Sequence, residues 1–378
     1  MPTRSLLPAA LALLASALLT PSLAGCAVLD PDRAGSDRHR EQLARPADAV
    51  PAPATGDQPL VFAFFRNPSP NQEQDQPQAP GLSLATSRDG LAWDEVPGGP
   101  VFTPRVSVGG GEAFGVRDPA IARGPDGVYH MVFTWQGDVA APEVATGIGY
   151  ASSRDLRTWS DARNLQVMRP YVGRVPYCWA PDLVFDPARG EWLITWAAPV
   201  QGMWPETAEV PSNTRLWATR TRDFVTLSEP VVYLEPGYPV IDGAIVPLPE
   251  GHPRGRWAMF AKDERNRPVN KKQIKVTFAD SLEGPWRWTD TEFAGVRTGV
   301  LSPAITTRGV EGPAPFRAGE GWLVLYDVYP AGRHGALWTT DFEQFTDVSA
   351  RTTFPPQSRH GSVVRVDEDT WRALRERR

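Results

Sequence analysis

Cysteine is nearly absent from this chain: its 378 residues include two, Cys26 and Cys178. Two cysteines cannot build a disulfide framework, so any fold must rest on an ordinary core. No long basic run occurs and the formal net charge is −5, which argues against a nucleic-acid partner. Long hydrophobic runs are scarce as well. The one near the start, Leu6 to Leu19, follows the positive Arg4 and is too short for a typical membrane span. What remains is 41% hydrophobic and 22% charged, the make-up of a globular protein with a sizeable core. Fourteen tryptophans are many for this length, and their flat faces suit core packing and sugar rings equally.

The start of the chain reads as a targeting signal. Leu23-Ala24-Gly25-Cys26 resembles a bacterial lipobox, in which cleavage before the cysteine leaves Cys26 to carry a lipid. An ordinary cleaved signal is the alternative. With Cys26 lipidated, Cys178 has no partner. Residues 27–58 are rich in Ala, Pro, Asp, Arg and Gly and read as a flexible tether. The expected plan is a lipoprotein signal over 1–25, a tether over 26–58 and one folded domain over 59–378. Such a protein would be extracellular, monomeric and held at the cell membrane through its lipid alone.

An internal repeat sets the fold. A strand, then Ser or Thr, a polar residue, Asp and a later aromatic recur as GLSLATSRDGLAW (81–93), GIGYASSRDLRTW (147–159) and RLWATRTRDFVTL (215–227). QIKVTFADSLEGPW (273–286) and GALWTTDFEQF (335–345) are weaker copies. Before each copy lies a short aromatic and β-branched run: LVFAFF, VYHMVFTW, WLITWAA, RWAMFAK and WLVLYDVY. These read as buried strands. Four of them are preceded by one more strand: DPAIAR, PDLVFD, DGAIVP and EGPAPF. The first repeat lacks it, and the C-terminal HGSVVRV (360–366) offers it instead. Five repeats of about four strands, closed by the two ends, predict an all-β, five-bladed β-propeller. A pair of β-sandwiches is the competing arrangement, but it does not explain the missing strand reappearing at the far end.

The first strand of each repeat should line the central axis. Each begins near a polar residue: Asp118, Asp182, Asp242, Glu311 and, in the blade closed by the termini, His360. Matching register would gather them at one mouth of the channel. A single Asp beside Gly or Pro more simply makes a turn. Four acids and a His in step are harder to dismiss, because clustered like charges are costly unless paired, protonated or metal-bound. Carboxylates that share a site can divide acid and base duties, and glycoside hydrolysis needs that division.

At these residues the chain resembles glycoside hydrolase family 43, over about Pro59 to Ser362. The pieces that carry the resemblance are VRDPAIARGPDGVYHMVFTW, WAPDLVFD, VIDGAIV, VEGPAPF and RHGS. The resemblance implies a five-bladed propeller that inverts configuration at the anomeric carbon. It implies that Asp118 is the general base, Asp242 the carboxylate that orients and tunes the acid, and Glu311 the general acid. Related propeller hydrolases place a stabilising carboxylate in an RDP triplet and attack with an earlier Asp. Here the earlier strand runs into FRNPSP, with Asn67 and no acid, so Asp118 keeps the role of base. Spacing favours Asp242 over Asp182, which would shape the pocket or make a structural contact. The second EGP, at Glu283, is expected in a surface turn.

The same resemblance makes His360 the residue that would help hold a calcium ion or a water, while no cofactor is required for catalysis. Trp179 is a candidate wall of the sugar pocket. Lys262, Asp263 and Glu264, and Tyr326 with Asp327, end second strands and would reach the funnel rim. Arg117 and Arg359 would bind sugar hydroxyls or pair with acids. The expected activity is exo-acting hydrolysis of terminal pentose from plant or microbial oligo- or polysaccharides, α-L-arabinofuranosyl first and β-xylosyl second. A β-galactofuranosidase, a non-catalytic sugar-binding propeller and a protein-binding scaffold are the alternatives.

Overall fold

In the computed structural model, the aromatic and β-branched runs all become strands, because residues pointing alternately to two faces can bury both. The structure describes residues 58–66, 81–136, 141–207, 212–289, 292–293, 296–297 and 299–376. The expected signal over 1–25 with Cys26, all but the last residue of the tether, and Asn67 lie outside the described residues.

Five antiparallel sheets form, each running outward from an inner strand. Blade one orders Ser358–Arg365, Leu60–Arg66, Ser83–Ser87 and Asp94–Glu95. Blade two orders Arg117–Arg123, Tyr129–Thr134, Ile148–Ser153 and Arg163–Leu165. Blade three orders Trp179–Asp186, Glu191–Ala198, Arg215–Thr221 and Val231–Leu234. Blade four has three strands, Val240–Pro247, Trp257–Asp263 and Gln273–Ala279. Blade five orders Glu311–Ala318, Gly321–Val328, Arg333–Thr339 and Thr346–Asp347. Each inner strand packs on the next, and the fifth packs on the first, so the ring closes. This is a five-bladed β-propeller. The closing strand is the one missing from the first repeat: Val61 pairs with Val364 and Phe64 with Gly361.

The core consists of five apolar layers, one between each pair of neighbouring blades. Strand alternation feeds both layers of a blade. Val61 and Ala63 face blade two, whereas Phe62 and Phe64 face blade five. Ile194 and Trp196 face blade two, whereas Leu193 and Ala197 face blade four. Each fully buried large side chain contributes about 1.5–3 kcal/mol, so side-chain burial is the main force between blades. Nine of the tryptophans are buried in this way, which settles most of them as core.

The repeated Ser/Thr-x-Asp phrase is a turn device. In blade two, Asp155 Oδ1 accepts the backbone N–H of Arg157 and of Thr158, at 2.8 and 2.7 Å. Ser153 Oγ accepts the N–H of Leu156 at 2.8 Å. Asp89, Asp223 and Asp341 do the same in blades one, three and five. The residue after each Asp is left-handed, with φ 73° at Gly90, 62° at Leu156, 56° at Phe224 and 58° at Phe342. Asp side chains stabilise such turns by capturing nearby backbone donors. Blade four, which holds one of the two weaker copies, lacks this Asp pattern among the described residues and also lacks a described fourth strand.

Candidate active site

Every inner strand carries a one-residue bulge at the same level. The ladder skips between Arg117 and Ala120, Trp179 and Asp182, Ile241 and Ala244, Glu311 and Ala314, and Ser358 and Gly361. Four of the five bulges hold a left-handed residue: Asp118 (φ 47°), Ala180 (44°), Asp242 (55°) and Gly312 (60°). A bulge re-aims a side chain, and Asp tolerates this conformation better than most residues.

This geometry corrects the expected register. Asp118 and Asp242 are equivalent, but Glu311 precedes the bulge position of its blade and Asp182 follows it by two. Ala180, not Asp182, stands where Asp118 and Asp242 stand. Asp182 Oδ2 instead accepts the backbone N–H of Ile245 in the next blade, at 2.8 Å. Burial pushes its carboxyl up to about 7, against the backbone hydrogen bonds from Ile245 and Leu183. It is separate from the cluster formed by the other acids.

That cluster is organised by the last strand. His360 Nε2 lies 3.0 Å from Asp118 Oδ1, and its Nδ1 lies 3.3 Å from Asp327 and 3.8 Å from Glu311. Its ring stands edge-on to Phe65 at 5.5 Å. Gly312 makes the room: a Cβ there would fall 2.0 Å from the His360 ring. Arg359 bridges Asp327 and Glu311. Lys262, 1% exposed, reaches Glu311 Oε2 at 3.0 Å and Glu264 Oε2 at 2.9 Å, and Lys272 also reaches Glu264. Asp242 Oδ2 accepts the N–H of Gly312 at 2.9 Å.

The expected acidic funnel is thus a lattice of alternating charge, which offsets the cost of burying it. Burial works against ionised Asp118, but His360, Arg117 and Thr134 outweigh it and hold the group well below the usual carboxylate range. Burial also opposes ionised Glu311, yet His360, Lys262 and Arg359 pull it down. Asp242 goes the other way. Burial, helped by the charges of Glu311 and Asp118, raises it to about 6 despite Lys262 and His360. His360 stays well above an ordinary imidazole, since its carboxylate neighbours overcome burial. At neutral pH the site therefore holds Asp118 and Glu311 ionised and His360 charged, while Asp242, raised to about 6, is the carboxyl of the cluster that takes up a proton first as the pH falls.

The metal expected at His360 does not fit. Glu311, Asp327 and His360 lie close enough to share an ion. However, Arg359 already spans the two carboxylates and both imidazole nitrogens face acids. A protonated ring has no lone pair for a metal.

Of the other expected residues, strand alternation admits one from each adjacent pair. Lys262 enters the funnel, whereas Asp263 turns to Arg265 and Lys275. Asp327 enters, whereas Tyr326 packs in the layer between blades four and five. Trp179 stacks on Tyr177 at 3.6 Å and 11°. Arg117 lies over Phe65 at 4.9 Å. Glu283 is on the surface, paired with Arg189 and Arg220. Phe65, Thr134, Tyr177 and Gly312 went unnoticed in the sequence, since nothing distinguishes them from core or turn residues until the bulges are placed.

A family model described as a probable glycosyl hydrolase domain, related to glycosyl hydrolase 43, matches residues 60–371. No curated protein matches. Among solved structures, an α-L-arabinanase from Cellvibrio cellulosa complexed with arabinohexaose is similar at 12% identity and TM-score 0.49, over 79% of this chain and 97% of that one. An α-L-arabinofuranosidase from Lactobacillus brevis is similar at 14% identity and TM-score 0.44, over 66% and 74%. A xylan β-1,4-xylosidase from Bacillus halodurans is similar at 14% identity and TM-score 0.45, over 66% of this chain but 47% of that one.

Proposed function

We propose, because the chain belongs to the glycosyl hydrolase 43-related family and is a glycosidase, that it releases terminal pentosyl groups from glycans with inversion. The α-L-arabinofuranosyl group is the first choice and β-xylosyl the second. The observation that carries the mechanism is the pair of carboxylates on opposite nitrogens of one imidazole ring. Those two contacts limit the separation of the nearest Asp118 and Glu311 oxygens to about 9 Å, a bound compatible with the inverting range of roughly 6.5–9.5 Å. In this reading Asp118 takes a proton from water as the water attacks the anomeric carbon. Glu311 protonates the departing oxygen, and Asp242 tunes it.

One observation favours a second assignment of the acid. Both Glu311 oxygens face cations, Lys262 on one and Arg359 on the other, whereas Asp242 carries the raised carboxyl. Glu311 can donate only if sugar binding draws one cation away. Otherwise Asp242 is the donor and Glu311 the tuning group.

Aryl and alkyl glycosides separate the two. Removing the true acid should spare substrates with a good leaving group and abolish turnover of poor ones. Glu311→Ala is expected to show that pattern, and Asp118→Ala to lose activity on every substrate. The pattern in Asp242→Ala instead would exchange the two roles. No turnover of any glycoside by the wild type would leave sugar binding as the function. At the cell level, the lipobox-like Leu23–Cys26 supports membrane tethering. Cys26→Ser should then release the protein from the membrane fraction, and unchanged fractionation would refute the anchor.

A further inference from the structure

The cations around the funnel are matched to acids, with one exception. Arg359 meets Asp327 and Glu311, Lys262 meets Glu264 and Glu311, and His360 meets Asp118 and Asp327. Arg117 meets no carboxylate within ion-pairing distance among the described residues. It opens the inner strand of blade two, half-buried, directly before Asp118. Its guanidinium lies 4.9 Å from the Phe65 ring centre, and its one side-chain hydrogen bond, to Gln136 Oε1, is long at 3.4 Å. The same ring carries Arg359 at 5.7 Å and the edge of His360 at 5.5 Å. Three positive groups therefore converge on Phe65, and only two have counter-charges.

A guanidinium offers five N–H donors in a planar fork that matches a carboxylate or sulfate. A neutral hydroxyl would be served by an amide side chain, without the cost of drawing a cation partly out of water. We propose that Arg117 binds an anionic group of the substrate, the carboxylate of a uronic acid or a sulfate ester, on the sugar being released, which would then be an acidic sugar in place of the neutral pentosyl group named above. The placement follows from Asp118: a residue beside the group that activates water stands beside the sugar under attack. The arrangement would also serve catalysis. Arg117 is one of the positive charges holding Asp118 far below the usual carboxylate range. An anion bound to Arg117 would cancel part of that charge and return basicity to the group that must accept a proton.

This inference rests on the glycosidase reading, and its test is built to fail separately. Wild type and Arg117→Gln would be assayed on matched aryl glycosides: a pentoside, a neutral hexoside, its uronide and its 6-sulfate, in both anomers. The expected result is a uronide or sulfate preference of at least about tenfold in kcat/KM, expressed mainly in KM. In Arg117→Gln the acidic substrate should fall to the level of its neutral parent. The relative rates of uronide and sulfate identify which anion the site takes. Equal rates for neutral and acidic substrates in the wild type, or an equal loss on both in the variant, would overturn the inference while leaving the glycosidase reading intact. If no aryl glycoside is cleaved, calorimetric titration with free glucuronate, galactose 6-sulfate and galactose still decides it. Binding of an acidic sugar by the wild type alone supports the site, and its absence, or equal binding by the variant, refutes it.

Discussion

Asp118 and Asp242 occupy the same place in their blades and differ in proton affinity. His360 makes the difference: it touches Asp118 and not Asp242, which accepts only a neutral backbone N–H through Oδ2. Similar strand positions thus give one carboxylate held well below its ordinary range and one raised toward neutrality, the more easily protonated of the two. Asp182 extends the point. Its raised carboxyl, at about 7 against an ordinary 3.8, means that the folded state favours the protonated form. Stability from that proton is fully present below the unfolded value and is lost as pH rises through about 7. Asp182→Asn should therefore gain on the wild type in thermal stability between pH 5 and pH 8. Melting curves at the two values check it, and an offset that does not change with pH would show that Asp182 does not titrate there. Charges of this kind were not legible in the sequence. The acids and the cations Lys262, Arg359 and His360 could be named, but not which acid each would meet, because the partners come from different blades.

The strands, their order and the closing pair were legible, because period-two burial and the Ser/Thr-x-Asp turn both leave marks in the sequence. The bulges were not. Their left-handed positions are filled by Asp, Ala, Asp and Gly, and no residue type announces the extra step. Asp182 resembles Asp118 because both stand near the start of an inner strand beside a proline, yet it lies two residues beyond the bulge position, which Ala180 fills. Alternation also explains why Asp263 and Tyr326, read as funnel residues beside Lys262 and Asp327, face elsewhere. The turn device carries its own prediction. Asp155→Ala removes the acceptor for two backbone N–H groups, and at about 0.5–1.5 kcal/mol each the loss should be about 1–3 kcal/mol. Urea denaturation measures it, and activity at temperatures where the variant remains folded should be unaffected, since Asp155 lies outside the funnel.

At the scale of the whole molecule, five layers of burial and one strand pairing hold the ring. Deleting residues 356–378 removes the inner strand of blade one and exposes the edge of Leu60–Arg66. The shortened chain should lose its cooperative thermal transition, and calorimetry would show whether an open ring still folds. A sharp transition in the deletion variant would mean that four blades stabilise one another without closure.

The closing strand has a further effect during synthesis. Asp118 and Glu311 are translated first, and His360 and Arg359, which pair with them, arrive on Ser358–Arg365. A nascent chain carries Asp118 without His360, and Glu311 with Lys262 as its one ion-pair partner among the described residues, until this segment docks. Repulsion among those acids would hold the mouth of an incomplete ring apart. Docking of the late strand then supplies the last hydrogen-bond ladder and the missing positive charge together, so maturation of the site and completion of the fold are one event.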